Sequence, residues 1–579
     1  MFRFVITSLV LATGCMSTKA QAPTLDEVVE AFDTFSQQSH PAAQARASGQ
    51  PARKWGEVTP AFYAAQADKA QAILGRLDMI EHTRGTPDAA IMRHLLQSEL
   101  DGHLFDGARI PLVGDWGFFA EPYFASYSLR LQSVEDAEAW IERLNDVPRY
   151  FDDNIANMRR GIESGWTAHA DPLSTSINQI REQITEDPAK SALYAPFENL
   201  PDTLEEEDRA RLQTEGLAAV ARANSAAADL LSFMEQEYRP NARSRPGLVS
   251  MEGGAEAYEA LVKHYTAGAG YSVEEIHEIG VAEVARIRSE MDAIIEEVGF
   301  EGSFEDFQAF LRTDPQFYAE TPEELMEKAS EMSKRLDGIL PQYFRTLPRL
   351  PYTVIPVPPA IAPGYTTGRY SGGDLETGEP GKYLVNTYAL DQRPLYELPA
   401  LSAHEAVPGH HLQIALAQEL EDVPAFRKSY YATAFGEGWG LYSEKLAGEA
   451  GFYRTPYERF GQLSYEMWRA CRLVSDTGLH ALDWTRDEAA ACFIENTALA
   501  PLNIETEVTR YIGMPGQATA YKIGELKILE LRARAKDAMG AEFDIREFHD
   551  IILGAGSMPL TAMENRIDDW IEEFVVEGP

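Results

Sequence analysis

The segment LSAHEAVPGHHLQIALAQEL, residues 401–420, places three of the chain's 12 histidines within eight positions: His404, His410 and His411. Glu405 directly follows the first of them. Imidazoles beside a carboxylate are the groups that hold a zinc ion and take a proton from its water. The familiar helical form is H-E-x-x-H, which sets both histidines on one face. Here the second histidine comes six or seven residues after the first. An uninterrupted helix turns about 100° and rises about 1.5 Å per residue. His404 and His410 then diverge by about 120°, and His404 and His411 stand about 10.5 Å apart along the axis, so neither pair could share an ion. Pro408 and Gly409 offer a way out. Proline cannot donate to the carbonyl of His404 and crowds that turn, while glycine accepts almost any backbone angle. If the pair bulges outward, His410 returns to the place of an i+4 histidine. His404 and His410 are therefore the expected ligands, with His411 the alternative to His410, and Glu405 is the expected general base.

A catalytic zinc takes three protein ligands and keeps one position open. The segment YYATAFGEGWGLYSEKLAG offers Glu437, 27 residues after His410 and flanked by Gly436 and Gly438. Phe435, Trp439, Leu441 and Tyr442 surround it with apolar bulk, unlike the setting of an ordinary solvated glutamate. Glu444 falls on nearly the same helical face and could orient a ligating histidine from behind.

These residues need a scaffold, and the pattern around them is helical. From residue 24 to about 345 the chain reads as helix after helix. One apolar-periodic run ends at Pro240. Another opens with a capping box, Ser272 and Glu275, and a third opens on Thr321, Pro322 and Glu324. The texture changes at 349. The runs YTVIPV and KYLVNTY, separated by Gly- and Pro-rich sequence, read as a β hairpin. Such an insertion beside a catalytic helix could hold an extended peptide by edge pairing, with Tyr383 and Asn386 as candidate substrate-binding residues. Helical patterns resume at about 396. The expected fold is mainly α with a small β insertion. It comprises a helical region 23–345 and a catalytic region 346–579, together expected to form one compact unit.

Composition narrows the partners. Among 579 residues the formal net charge is −40, which repels a phosphate backbone and argues against nucleic acid as a partner. The first 22 residues read as an export signal, with Arg3 ahead of the apolar run from Phe4 to Ala12. ATGC, ending at Cys15, resembles a lipoprotein cleavage box with a lipid anchor on that cysteine. AQA at 20–22 resembles an ordinary peptidase site, with Pro23 disfavouring the cut. The chain is expected outside the cytoplasm, periplasmic or anchored at the outer membrane. Cys471 and Cys492 then remain, as a pair or as two buried thiols.

Taken together, HEAVPGHHLQ, FGEGWGLYSE, RLVSDTGLHALDWTRDEA and GMPGQATAYKIG resemble the bacterial domain-of-unknown-function 885 family. Two earlier stretches, GLVSMEGGAEAYEALVKHYT and YSVEEIHEIGVAEVARIRSEM, also look like it. That family is grouped with gluzincin-type zinc peptidases, whose metal is held by His, His and Glu. It is similar in logic to dipeptidyl peptidase III, whose zinc helix carries an inserted residue. The resemblance implies a helical, zincin-like fold with a deep cleft, a bound Zn2+ and a peptide substrate. It also implies His480 and Tyr521 as donors to the developing oxyanion. Asp476 lies four residues before His480 and could orient it. Arg510 is a candidate grip for a substrate carboxylate.

The leading expectation is an exported zinc metallopeptidase. A metal- or peptide-binding protein without turnover would share the ligands but leave Glu405 without a role. A zinc hydrolase of esters or non-peptide amides would use the same groups. A serine hydrolase of the nucleophile-elbow kind is disfavoured, because no G-x-S-x-G occurs.

Overall fold

A computed structural model of the chain describes residues 22–577, apart from residues 40, 81–82, 84–85, 112–116, 128, 360–361, 376 and 500. The export segment and Cys15 therefore lie outside the described residues. The architecture is mainly helical with one small sheet. In chain order, the elements that matter for the site begin with α1 (Pro87–Leu104), α2 (Glu206–Phe233), α3 (Gly254–Tyr265), α4 (Val273–Glu297) and α5 (Pro322–Tyr343). The strands β1 (Tyr352–Pro356), β2 (Gly368–Ser371) and β3 (Gly381–Val385) follow. Then come α6 (Leu398–Glu405), α7 (His410–Gln418), α8 (Thr433–Glu449), α9 (Pro456–His480), α10 (Arg486–Asn496), α11 (Pro501–Gly513) and α12 (Ala520–Met539).

The helix starts follow the expected chemistry. Ser272 and Glu275 form a reciprocal capping box at the start of α4. At α5, Thr321 accepts from the Glu324 amide, but the Glu324 carboxylate reaches back to the Glu320 N–H instead of closing a box. The helix that meets Pro240 leaves α-geometry earlier than expected. α2 ends at Phe233, and Met234–Tyr238 continue as a π-helical turn.

The sheet differs from the expected hairpin. YTVIP and GKYLV are parallel neighbours, and a third strand drawn from the intervening glycine-rich segment, GRYS, pairs antiparallel on the far side of β3. A parallel pair needs a long crossover, and residues 357–380 supply it. β2 is left at an edge of the sheet.

Apolar burial shows how the chain is assembled. Trp140, Phe151, Phe197 and Tyr238 centre a core formed within residues 55–238. The remaining large cores run across residue 345. Leu336 and Phe344 share one with Leu401 and Trp439, and Ile287 and Met291 share another with Phe460 and Met467. α4 packs along α9 and α8 along α12. A Cys471–Cys492 disulfide joins α9 to α10, with Cα atoms 5.6 Å apart. No helix among the described residues is long and apolar enough to cross a membrane.

Candidate metal centre

The helix carrying His404 stops at Glu405 and restarts at His410. Ala406 (φ −91°, ψ −113°) and Gly409 (φ −76°, ψ −130°) turn the chain out and back. The His411 amide then donates to the Ala406 carbonyl at 3.0 Å. Gly409 is required by space: a Cβ there would lie 1.9 Å from the His404 carbonyl oxygen. The Trp439 indole N–H donates to the Pro408 carbonyl at 2.8 Å and pins the bulge from α8. The outcome is that the His404 and His410 rings stand 4.7 Å apart, nearly perpendicular.

Glu437, on α8, completes the group. Its Oε2 is 3.5 Å from His404 Nε2 and 3.6 Å from His410 Nε2. Among the described residues, these three alone form a group of His, Cys, Asp or Glu side chains whose ligand atoms converge within 4.8 Å. The spacing is long for hydrogen bonds. It suits three ligands around one ion, since atoms about 2.0–2.1 Å from a tetrahedral zinc stand roughly 3.3 Å from one another. His404 Nδ1 meets Glu444 Oε1 at 2.8 Å. A carboxylate behind the ring fixes its tautomer and leaves Nε2 free to ligate. Glu444 is fully buried, with the Arg469 guanidinium 3.7 Å away and its backbone carbonyl accepting from the Tyr453 hydroxyl.

The electrostatics suit a cation. Burial works against a charged His404, yet Glu437 and Glu444 raise its pKa to about 9. Burial also opposes ionised Glu437, but the two imidazoles hold its carboxyl well below the usual range. A divalent ion in this position would replace the protons that the ligands otherwise attract.

The glycines of FGEGWG each admit a different neighbour. A Cβ on Gly440 would sit 2.6 Å from the His404 ring. One on Gly438 would meet the backbone of Gly524, where α8 crosses α12, and one on Gly436 would strike the Tyr431 ring. Tyr431 was not apparent from the sequence. It lies in the loop before α8, where no periodicity marks it, yet its hydroxyl is 3.4 Å from Glu437 Oε1. Glu405 is buried beside the ligands, and its Oε2 accepts the Tyr370 amide of edge strand β2 at 2.7 Å.

His411 turns away from the group. Its Nδ1 lies 3.0 Å from the Tyr370 hydroxyl, its ring packs on Tyr352, and burial lowers its pKa to about 4. Of the two alternatives for the second ligand, the structure thus brings His410 to His404 and Glu437. Tyr521 stands near Tyr431, with the Arg472 guanidinium 4.4 Å over its ring. Arg510 is engaged with Gln517 at 2.6 Å and Glu507 at 3.0 Å.

Three expected roles meet a different arrangement. His480 is fully buried. Its Nδ1 accepts the Leu248 amide at 3.2 Å and its Nε2 lies 3.0 Å from the Tyr511 carbonyl, so neither nitrogen is free to serve a substrate. Asp476 does not orient it, because its Oδ1 accepts from the Tyr258 hydroxyl and the Gly516 amide. Tyr383 is buried with its hydroxyl 3.3 Å from Ser402 Oγ. Asn386 is buried too, its amide donating to the carbonyls of Ala362, Tyr365 and Thr366. Both are polar residues of a strand-like run, but here Tyr383 ties β3 to α6 and Asn386 ties down the long crossover.

Residues 41–567 match the family model described as bacterial protein of unknown function (DUF885). The chain belongs to that family. A comparison with curated proteins finds no match. Among solved structures, the chain is similar to "the putative lipoprotein from Colwellia psychrerythraea", with 26% identity, a TM-score of 0.85, and coverage of 94% of this chain and 99% of that one. A "putative lipoprotein of unknown function from Shewanella oneidensis" shares the fold at 19% identity and a TM-score of 0.74, with the same coverage.

Proposed function

We propose that this DUF885 protein is a zinc-dependent hydrolase of the gluzincin kind, cleaving peptide bonds. The observation that carries the reading is the convergence of His404, His410 and Glu437, with Glu405 directly after the first ligand. Zinc, when bound by those three side chains, would supply an acidified water and a Lewis acid for the scissile carbonyl.

The chain's own groups then have distinct tasks. Glu405 is held by the Tyr370 N–H on one oxygen, which leaves the other to take the water's proton and return it to the leaving nitrogen. We assign donation to the developing oxyanion to the Tyr431 hydroxyl, 3.4 Å from Glu437 Oε1, with Tyr521 as a second donor. Edge strand β2 offers backbone to an extended peptide.

The same reading places the protein outside the cytoplasm. The Cys471–Cys492 disulfide belongs in an oxidising compartment. The names of the two similar structures support a lipid anchor at Cys15, with the protein periplasmic or held at the outer membrane.

The test is hydrolysis of a peptide library by zinc-loaded wild type and Glu405→Gln. Cleavage by wild type that disappears in a variant still holding its metal supports the peptidase. Equal peptide binding by both without cleavage points to a binding protein. Release of esters or non-peptide amides in place of peptides reassigns the substrate.

A further inference from the structure

Arg243 lies in the loop between α2 and α3, where its amide donates to the Ala168 carbonyl at 3.1 Å. Its Nη2 donates to the carbonyls of Pro246 at 3.0 Å and Ile512 at 3.4 Å. Among the described residues, Nη1 has only the Met251 sulfur, at 3.7 Å, and a thioether is a weak acceptor, while Nε is buried with no partner among them. Among the described residues, no carboxylate pairs with this guanidinium. Buried Arg427, by contrast, pairs with Asp88, and Arg472 and Arg510 pair with Glu507. The titratable groups that feel the Arg243 charge are His169, His480 and Tyr238, two bases and a phenol that is neutral at pH 7, so none supplies an anion. Burial lowers its pKa to about 10, so it stays charged at neutral pH. Arg243 is half-buried, with its Nε out of water, and a cation drawn from water with no counter-charge is costly.

Arg243 also lines a cavity of about 360 Å³. The other walls are mainly apolar, with Phe105, Ile110, Trp166, Leu248, Leu261 and Met514 among them. That size and mixture suit a small-ligand site with one orienting charge. Asp101 is also on the wall, but it is held by the Gln97 amide at 2.9 Å and its charge falls on His264. His264 is shared with an adjoining cavity that reaches Tyr431 and Thr433 beside the metal centre.

We infer that this cavity binds an amphipathic carboxylate, with its apolar body against Trp166 and Leu248 and its carboxylate on Arg243. The free end of an apolar peptide and a fatty acid share that chemistry. The inference stands independently of what the metal centre hydrolyses.

Calorimetric titration of the purified full chain at pH 7 tests it, with N-acetyl-leucyl-phenylalanine, the corresponding C-terminal amide, and octanoate as probes. At least one acid is expected to bind. Arg243→Gln should weaken that acid by about thirtyfold or more, as expected for truncating one side of a desolvated charge pair. Ala260→Phe fills the cavity from α3, remote in sequence from the guanidinium, and should abolish binding of the same acid. Preference for the peptide acid over both its amide and octanoate identifies a peptide end; preference for octanoate identifies an acyl chain. If Arg243→Gln does not fold, Ala260→Phe and the acid–amide comparison still decide. Equal binding of acid and amide, binding unchanged in both variants, or no binding of either acid overturns the inference.

Discussion

Glu405 and Glu444 both flank His404, and the proposed function gives them separate tasks, one in chemistry and one in ligation. Glu405 touches no ligand atom at bonding distance and carries its Oε2 on the Tyr370 amide. Glu405→Gln should therefore keep metal and lose about 10²–10⁴-fold in kcat/KM, read by peptide cleavage beside metal analysis. Glu444 works through the His404 ring at 2.8 Å. Glu444→Gln should weaken metal affinity by about 10–100-fold, read by competition with a chelating dye. At this scale the sequence was informative where residue type and spacing were unusual. His404, Glu405, His410 and Glu437 stood out because Pro-Gly inside a histidine-rich helix and Glu between glycines have few structural uses. Tyr431 was illegible, because its role depends on a loop folding back over Gly436. His480 misled because a helical histidine near an aspartate looks the same whether it faces a cleft or two backbone groups.

The helices meet at glycines, and the close approach of α8 to α12 sets Glu437 opposite the bulge. A Cβ on Gly524 would lie 1.9 Å from the Ala434 carbonyl. Backbone cannot yield as a flexible side chain does, so Gly524→Ala should destabilise the protein by about 1–3 kcal/mol or more, read by urea unfolding. Gly440→Ala aims its methyl at the His404 ring instead, and should lower metal affinity more than it lowers the unfolding midpoint. The helices themselves were legible from capping residues and apolar periodicity, as at Ser272 and Thr321. Strand pairing was not. YTVIP and GKYLV looked like a hairpin because local sequence marks strands and turns. The parallel register depends on Tyr383 and Val385 being buried with Leu401 of α6, a partnership no local pattern encodes.

Over the whole molecule, several histidines are buried neutral, and their titration is a test of the fold. Burial lowers His480 to about 3, with the charge of Arg243 adding to the effect. An unfolded histidine titrates near about 6.5. Between those values the unfolded chain binds the extra proton, so this group's contribution to stability is complete above about pH 6.5 and is lost as pH falls toward 3. The destabilisation caused by His480→Gln should thus be largest near pH 7 and shrink on acidification, by at most about 1.4 kcal/mol per pH unit. Asp476, raised to about 7 by burial, has the opposite slope in wild type, so the comparison is made between variant and wild type at each pH. A positioned catalytic donor would instead show lost turnover with little pH-dependent change in stability. The change of texture at 349 marks no division of the packing, because Leu336 and Phe344 share a core with Leu401 of α6 and Trp439 of α8, a partnership that composition does not reveal.

The measurement closest to the central claim is metal content of the purified protein after zinc loading and dialysis, for wild type beside His410→Ala, Glu437→Ala and His411→Ala. The expected result is about one zinc per chain in wild type and in His411→Ala, with loss in the other two. No tightly held divalent metal in wild type, or loss in His411→Ala with retention in His410→Ala, would contradict the site described here.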